Sequence, residues 1–179
     1  ITYSDTTNPT VSSFTSTTAD GSYGVDSEVN ITATMSEAVI AGSNITVTLG
    51  TNDTVVLTAS SAGTTLSGTY TVSTGDASAD LSISSYELAS GQSVTDIYGN
   101  QMTATTLPSG NNLSDNSALV IDAAAPTSTI TGVSYDGATG VLTFAGTSFD
   151  GIGAASASTD IKSSLNWSNL SWDINGDAG

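Results

Sequence analysis

The feature that most constrains this chain is a seam that occurs twice. Residues 118–126 read ALVIDAAAP, an apolar strand that runs into Asp122 and then through three alanines to Pro126. The opening residues, ITYSDTTNP, repeat the pattern as a strand tail, Asp5, three small polar residues and Pro9. Asp5 and Asp122, like Pro9 and Pro126, stand 117 positions apart. A period of that size is one small domain, so the chain reads as part of a tandem array. Residues 1–8 are the end of a preceding repeat with its linker, 9–122 a whole repeat, and 123–179 the incomplete start of the next.

Composition decides the class. There are 17 acidic residues against one Lys, with no Arg and no His, for a formal charge of −16. Such a chain repels phosphate backbones and anionic membranes, which excludes nucleic acid as a partner. Cysteine is absent, which rules out disulfides, thiolate zinc sites and thiol catalysis. With no imidazole either, the ligands that remain are oxygens, and they suit calcium or magnesium. No run of eighteen apolar residues offers a membrane span, and no basic-then-apolar leader is present, so direct membrane insertion is not expected. Thr, Ser, Gly, Ala and Val dominate, and few residues suit a helix surface, which predicts a secreted, all-β protein.

Along the chain, TVSSFTSTT gives a first strand with Val11 and Phe14 as its apolar positions, and ADGSYG a turn. EVNITATM alternates Val29, Ile31, Ala33 and Met35 against Asn30, Thr32 and Thr34, the period of a half-buried strand. SEAVIAG reads as a turn, NITVTLG, TVVLTAS and LSGTYTV as three more strands, and STGDASAD as a loop. ADLSISSYEL is the sixth strand, followed by a long connection before SALVID closes the repeat as the seventh. Seven short strands separated by turns fit a two-sheet, immunoglobulin-like β-sandwich.

If strands alternate in direction, the acids sort to two poles. Asp5, Glu37, Asp96 and Asn100 fall at the pole where the chain enters. Asp20, Asp26, Asp53, Asp76, Asp80 and Asp122 fall at the other. Two carboxylates about 5 Å apart at an effective dielectric of 20 repel by roughly 3 kcal/mol before screening, so clustering calls for a neutralising ion. Calcium takes six to eight oxygens from carboxylates, Asn side chains and backbone carbonyls, which these loops can supply. The competing account is that Asp favours turns and keeps an exported protein soluble.

In the third segment, STITGVSYDGATGVLTFAG is a hairpin turning at DGATG, with Val141, Leu142 and Phe144 as core candidates. Asp150 is the counterpart of Glu37 by strand count and would share a pole with Asp122. Asp173, Asn175 and Asp177 stand in a DxNxD spacing like the opening of a calcium loop, without the distal Glu of an EF-hand. Trp167 and Trp172 are expected in the core, or else as a platform for stacking sugars. Asn30, Asn44, Asn52, Asn112, Asn166 and Asn169 head N-x-S/T triplets, which matter only in a host with N-glycosylation.

The stretches DTTNPTVSSFTSTTADGSY, ITATMSEAV, TVSTGDASADL, DIYGNQ and ALVIDAAAPT resemble the immunoglobulin-like, cadherin-like repeats of very long bacterial surface proteins, among them repetitive adhesins and surface-layer or RTX-type proteins. LSWDINGD resembles a strand signature of a sister repeat. The resemblance covers nearly the whole chain and specifies no ligand. It implies an extracellular, non-catalytic rod segment whose Asp-x-x-x-Pro seams bind calcium. Asp5, Asp20, Glu37, Asp96, Asn100 and Asp122 stand at the matching positions, whereas Asn8 and Asn30 depart from the family pattern.

The partners expected are therefore calcium ions, neighbouring repeats of the same chain, and other copies in a filament or lattice through exposed strand edges, with ITYS as a candidate donor strand. A carbohydrate- or surface-binding module is the alternative. An enzyme has little support: Asp76 and Asp80 can be paired as acid and base, but no pocket or nucleophile accompanies them.

Overall fold

The computed structural model describes residues 5–124 and 129–147. The chain divides into two compact units, Ile1–Ala124 and Ala125–Gly179. Asp150, Trp167, Trp172, Asp173, Asn175 and Asp177, and the tail ITYS, lie outside the described residues.

The first unit is all-β apart from one helical turn. Its strands are β1 (Val11–Thr15), β2 (Gly21–Tyr23), β3 (Glu28–Val39), β4 (Asn44–Leu49), β5 (Thr54–Thr58), β6 (Gly63–Thr71), β7 (Ala77–Ser78), β8 (Ile83–Glu87) and, after the helix α1 (Leu113–Asn116), β9 (Leu119–Asp122). Six of them form one sheet in the order β1-β3-β6-β5-β4-β8, and β2-β9-β7 form a second. Both sheets feed a single core, with Phe14, Ile31 and Leu66 from the large sheet and Leu119 and Ile121 from the small one almost fully buried.

The period-two reading of β3 holds, because Val29, Ile31, Ala33 and Met35 are all buried. Val11 and Phe14 are three residues apart yet both face inward, since the β1–β3 register shifts between Val11 and Ser13. A bulge of that kind supplies the extra residue.

Four expectations need correction. ADGSYG is more than a turn: Gly21–Tyr23 runs parallel to β9 from Gly21↔Leu119 to Tyr23↔Ile121. The segment STGDASAD contains β7, which pairs Ala77 with Asp122. Among the described residues the unit therefore has nine strands where seven were expected, and the parallel β2–β9 pair breaks strict alternation. SEAVIAG turns only at its end: β3 continues to Val39 through a register shift between Thr34 and Val39, and the turn falls at Ala41 and Gly42, where the Ser43 N–H donates to the Ile40 carbonyl. The long connection holds α1, whose Asn112 and Asp115 form a reciprocal capping box.

Sheet packing leaves one place where only hydrogen fits. A Cβ on Gly68 in β6 would stand 2.4 Å from the Val56 carbonyl oxygen and 3.0 Å from both Leu57 Cδ2 and Val55 Cγ1. Gly68→Ala must push β5 away from β6, and should destabilise the unit by about 2 kcal/mol, read as a lower denaturant midpoint at unchanged slope. An unchanged midpoint would mean that β5 yields freely.

The described part of the second unit is a hairpin of β10 (Thr129–Asp136) and β11 (Val141–Thr147), in register from Asp136↔Val141 to Thr129↔Thr147 with one shift between Ile130 and Gly132. DGATG is its turn, as expected. Asp136 Oδ1 accepts from the backbone N–H of Ala138 and Thr139, at 2.9 and 3.4 Å. Val141, expected in a core, is 53% exposed, and the side chains of Leu142 and Phe144 lie outside the described residues.

Candidate metal centre

Three segments meet where the chain enters the first unit. Asp5 lies just ahead of β1 and accepts the Thr7 N–H on Oδ1 at 2.9 Å, a local turn that fixes its carboxylate. Glu37 sits in the irregular end of β3, which leaves the β6 ladder after Thr34 and rejoins it at Val39. Bulged strand ends re-aim side chains in this way. Asp96 follows from the isolated bridge Val39↔Asp96, which pins the loop after β8 to the end of β3. One carboxylate oxygen from each of Asp5, Glu37 and Asp96 lies within 4.8 Å of the others.

The turn DIYGN builds the Asp96 corner. Asp96 is 1% exposed, Oδ1 accepts the N–H groups of Tyr98 (2.8 Å) and Asn100 (2.7 Å), and Oδ2 accepts Asn100 Nδ2 (2.8 Å). Gly99 takes φ 96° to let the chain close back on itself. Asn100 Nδ2 also reaches the Asp5 carbonyl oxygen at 3.2 Å, so this amide ties the entering chain to the loop. Asn100 is thus seen as a brace between two of the acids.

Electrostatics separates the carboxyl groups. Burial pushes Asp96 up, but the hydrogen bonds from the Asn100 side chain and from the Asn100, Tyr98 and Gly99 backbone outweigh it and hold the carboxyl below the usual range. Glu37 has no such support. Burial first, then the charges of Asp5 and Asp96 and the close approach of the Asp96 carboxyl, raise its carboxyl above the ordinary value. Its Oε1 is buried and accepts no hydrogen bond. Residues 5–124 contain no Lys, Arg or His that could answer these charges.

The other acids named from the sequence do not converge in this way. Among the described residues, no second group of three acids brings its oxygens together. Asp20 is exposed and accepts the Ala118 N–H at 2.8 Å, at the start of β9, whereas Asp122 ends that strand. Asp76 Oδ2 accepts both the Tyr70 hydroxyl and the Ser73 N–H at 2.6 Å, and burial followed by that carboxylate bond raises the phenol. Asp26, Asp80 and Asp122 are exposed. Asp53 Oδ2 is buried without a partner. Asn8, beside the seam proline, was not a candidate, yet its Nδ2 reaches Thr103 Oγ1 at 3.4 Å and helps hold the entering chain. No pattern in the sequence links positions 95 apart.

No protein-family model, curated protein or solved structure matches this chain. No helix among the described residues is long and apolar enough to cross a membrane.

Three hard oxygen donors, one of them orphaned and one fully enclosed, fit a divalent cation of the calcium type, which carboxylates bind in one- or two-oxygen modes. The only other neutraliser on hand is a proton on Glu37. The two compete, with a definite sign. A raised Glu37 stabilises the metal-free fold at pH below its unfolded-state value, and that contribution is lost as pH rises through its folded-state value. Lowered Asp96 does the reverse, contributing above its unfolded-state value and losing it as pH falls through the folded-state one. Calcium affinity should therefore fall as pH drops through the raised Glu37 value, with proton release on binding there. Calorimetry in two buffers of different ionisation enthalpy reads that release directly, and equal heats in both would exclude Glu37 as a ligand.

Proposed function

We propose that residues 5–124 form an immunoglobulin-like structural repeat of an extracellular adhesin, filament or surface-layer protein, a rigid spacer without catalytic activity, stabilised by calcium at Asp5, Glu37 and Asp96. The observation that carries this reading is the buried, unpartnered Glu37 Oε1 beside two further carboxylates, in a unit with no cationic side chain. A divalent cation there would satisfy that oxygen and neutralise the three crowded carboxylates together.

The place of the site adds to the reading. Asp5 belongs to the segment that enters the unit, while Glu37 and Asp96 belong to its body, so one ion clamps the entering chain to the fold. Asp122 occupies the same position in the second seam, 117 residues on. A linker of small residues has no fixed angle of its own, and a bound ion supplies one. The strong negative charge suits a medium that supplies divalent cations.

Isothermal titration of the full chain with calcium tests this reading. Saturable heat that is lost in Asp96→Asn is the expected result, and a flat titration overturns it. One observation favours the carbohydrate- or surface-binding alternative: Ile97 and Tyr98, on the turn that carries Asp96, are 57% and 61% exposed. An aromatic ring beside a cation site can stack a sugar. Retention on a glycan array that disappears in Tyr98→Ala would establish that reading.

A further inference from the structure

The six-stranded sheet ends in two outer strands, β1 and β8, and one short segment reaches both of them. We propose that residues 111–116 are a clasp that keeps this unit from pairing edge to edge with a second copy, and that opening it turns β1 or β8 into the pairing surface.

An outer strand offers a row of backbone groups that a strand of another chain can complete. β1 (VSSFT) and β8 (ISSYE) are each five residues long, contain no Lys or Pro, and hold one charge between them, on Glu87. Lysine and proline, common guards of a sheet edge, are therefore missing from both. β2 and β7, at the margins of the small sheet, span only three and two residues and give a partner little to pair with. The hazard lies with the large sheet.

The clasp answers it by imitating a neighbouring strand at both margins. On β1, the Phe14 N–H donates to the Asn111 carbonyl at 2.9 Å, and the Phe14 carbonyl accepts from Asn116 Nδ2 at 3.0 Å. On β8, Asn112 does the same for Ile83, its Oδ1 accepting the N–H at 2.8 Å and its Nδ2 donating to the carbonyl at 2.9 Å. Both backbone groups of one residue on each edge are thus taken by partners from six consecutive residues. A strand of another copy can pair at neither position until the clasp leaves.

The clasp is held shut from within. Leu113 is fully buried in the core, Asn112 and Asp115 cap α1 reciprocally, and Asn116 Nδ2 also donates to the Asn112 carbonyl at 2.9 Å. Gly110, just ahead of it, takes φ 68° where the chain turns into the clasp. None of Asp5, Glu37 and Asp96 belongs to this segment, so the inference stands apart from calcium binding.

Symmetry makes the consequence countable. One open edge gives each copy a single pairing surface, which two copies satisfy antiparallel about a twofold axis, and growth stops at a dimer. Two open edges give open-ended chains.

Light scattering on the gel-filtered full chain is the test, at physiological salt, where a Debye length of about 8 Å lets copies of like charge approach. Wild type should keep the mass of one chain at every concentration. Asn116→Ala and Asn112→Ala should each double in mass as concentration rises, and the double variant should grow beyond the dimer. Ile31→Ala, which opens a cavity in the core and leaves both edges closed, controls for instability alone and should keep the mass of one chain. If Asn112→Ala does not fold, Asn116→Ala decides the matter, because it leaves Leu113 and the bonds to Ile83 in place. Folded clasp variants that stay at one chain overturn the proposal. So does Ile31→Ala associating as readily as they do, or a single clasp variant that grows past the dimer.

Discussion

Chelating calcium should lower the thermal midpoint of the first unit by about 5 °C relative to metal at ten times its dissociation constant, and by about 15 °C relative to a thousandfold excess. The figures follow from linkage, about 1.4 and 4 kcal/mol respectively, and from the unfolding entropy of a unit of this size. Two substitutions separate metal binding from the cost of holding the acids together. Glu37→Gln removes the carboxyl that burial and its neighbours push up, so in chelator at neutral pH this variant should melt above wild type, while its response to calcium shrinks. Asp96→Asn should also lose the response but melt lower even in chelator. Whichever way the new amide turns, its nitrogen replaces an oxygen that now accepts from Asn100 Nδ2 or from the Tyr98 and Asn100 N–H groups. A calcium response lost in both variants is what a metal centre requires, while the opposite signs in chelator separate the cost of crowding Glu37 from the support Asp96 receives. A wild-type midpoint indifferent to chelator would remove calcium from the account of this fold.

The clean alternation of Val29 to Met35 made an all-β unit legible, because it is a pattern that neighbours in sequence share. Counting turns also grouped Asp5, Glu37, Asp96 and Asn100, although Glu37 proved to lie on a strand and not in a loop. What escaped was short or non-local. β2 and β7 span three and two residues, too few for any period, and they exist because β9 offers them a partner. The capping pair Asn112 and Asp115 was visible as N-x-x-D, but with Leu113 as the only buried residue of α1 no helical stripe followed it. Nothing local announces that Asn116 will meet Phe14. The triplets headed by Asn30, Asn44 and Asn112 look alike in sequence, yet each Nδ2 is committed to a backbone carbonyl, of Gly68, Gly42 and Ile83 respectively.

The last of these carries the second large effect expected. Strand β8 is an edge of the six-stranded sheet, and Asn112 closes that edge at Ile83 from outside: the Ile83 N–H donates to Asn112 Oδ1 at 2.8 Å, and Asn112 Nδ2 donates to the Ile83 carbonyl at 2.9 Å. The side-chain amide thus does for one residue what a neighbouring strand would do. The same Oδ1 accepts the Leu113 N–H at 2.6 Å and starts α1, whose Leu113 is fully buried in the core. Asn112→Ala therefore strips the partners from two backbone groups beside buried Ile83 and removes a helix cap together. At about 1–3 kcal/mol for each group left unsatisfied and about 1 for the cap, the loss should be about 4 kcal/mol, or roughly 15 °C in midpoint. Asn112→Asp is the informative companion. It keeps the accepting oxygen for Ile83 and Leu113 but sets a carboxylate oxygen against the Ile83 carbonyl, so its loss should be smaller than that of alanine at low pH, where the acid is protonated and can donate, and should grow as pH rises. Denaturant titrations at two pH values measure both. If Asn112→Ala costs under about 1 kcal/mol, water satisfies Ile83 as well as the amide does, and the edge of the sheet is held by β4 alone.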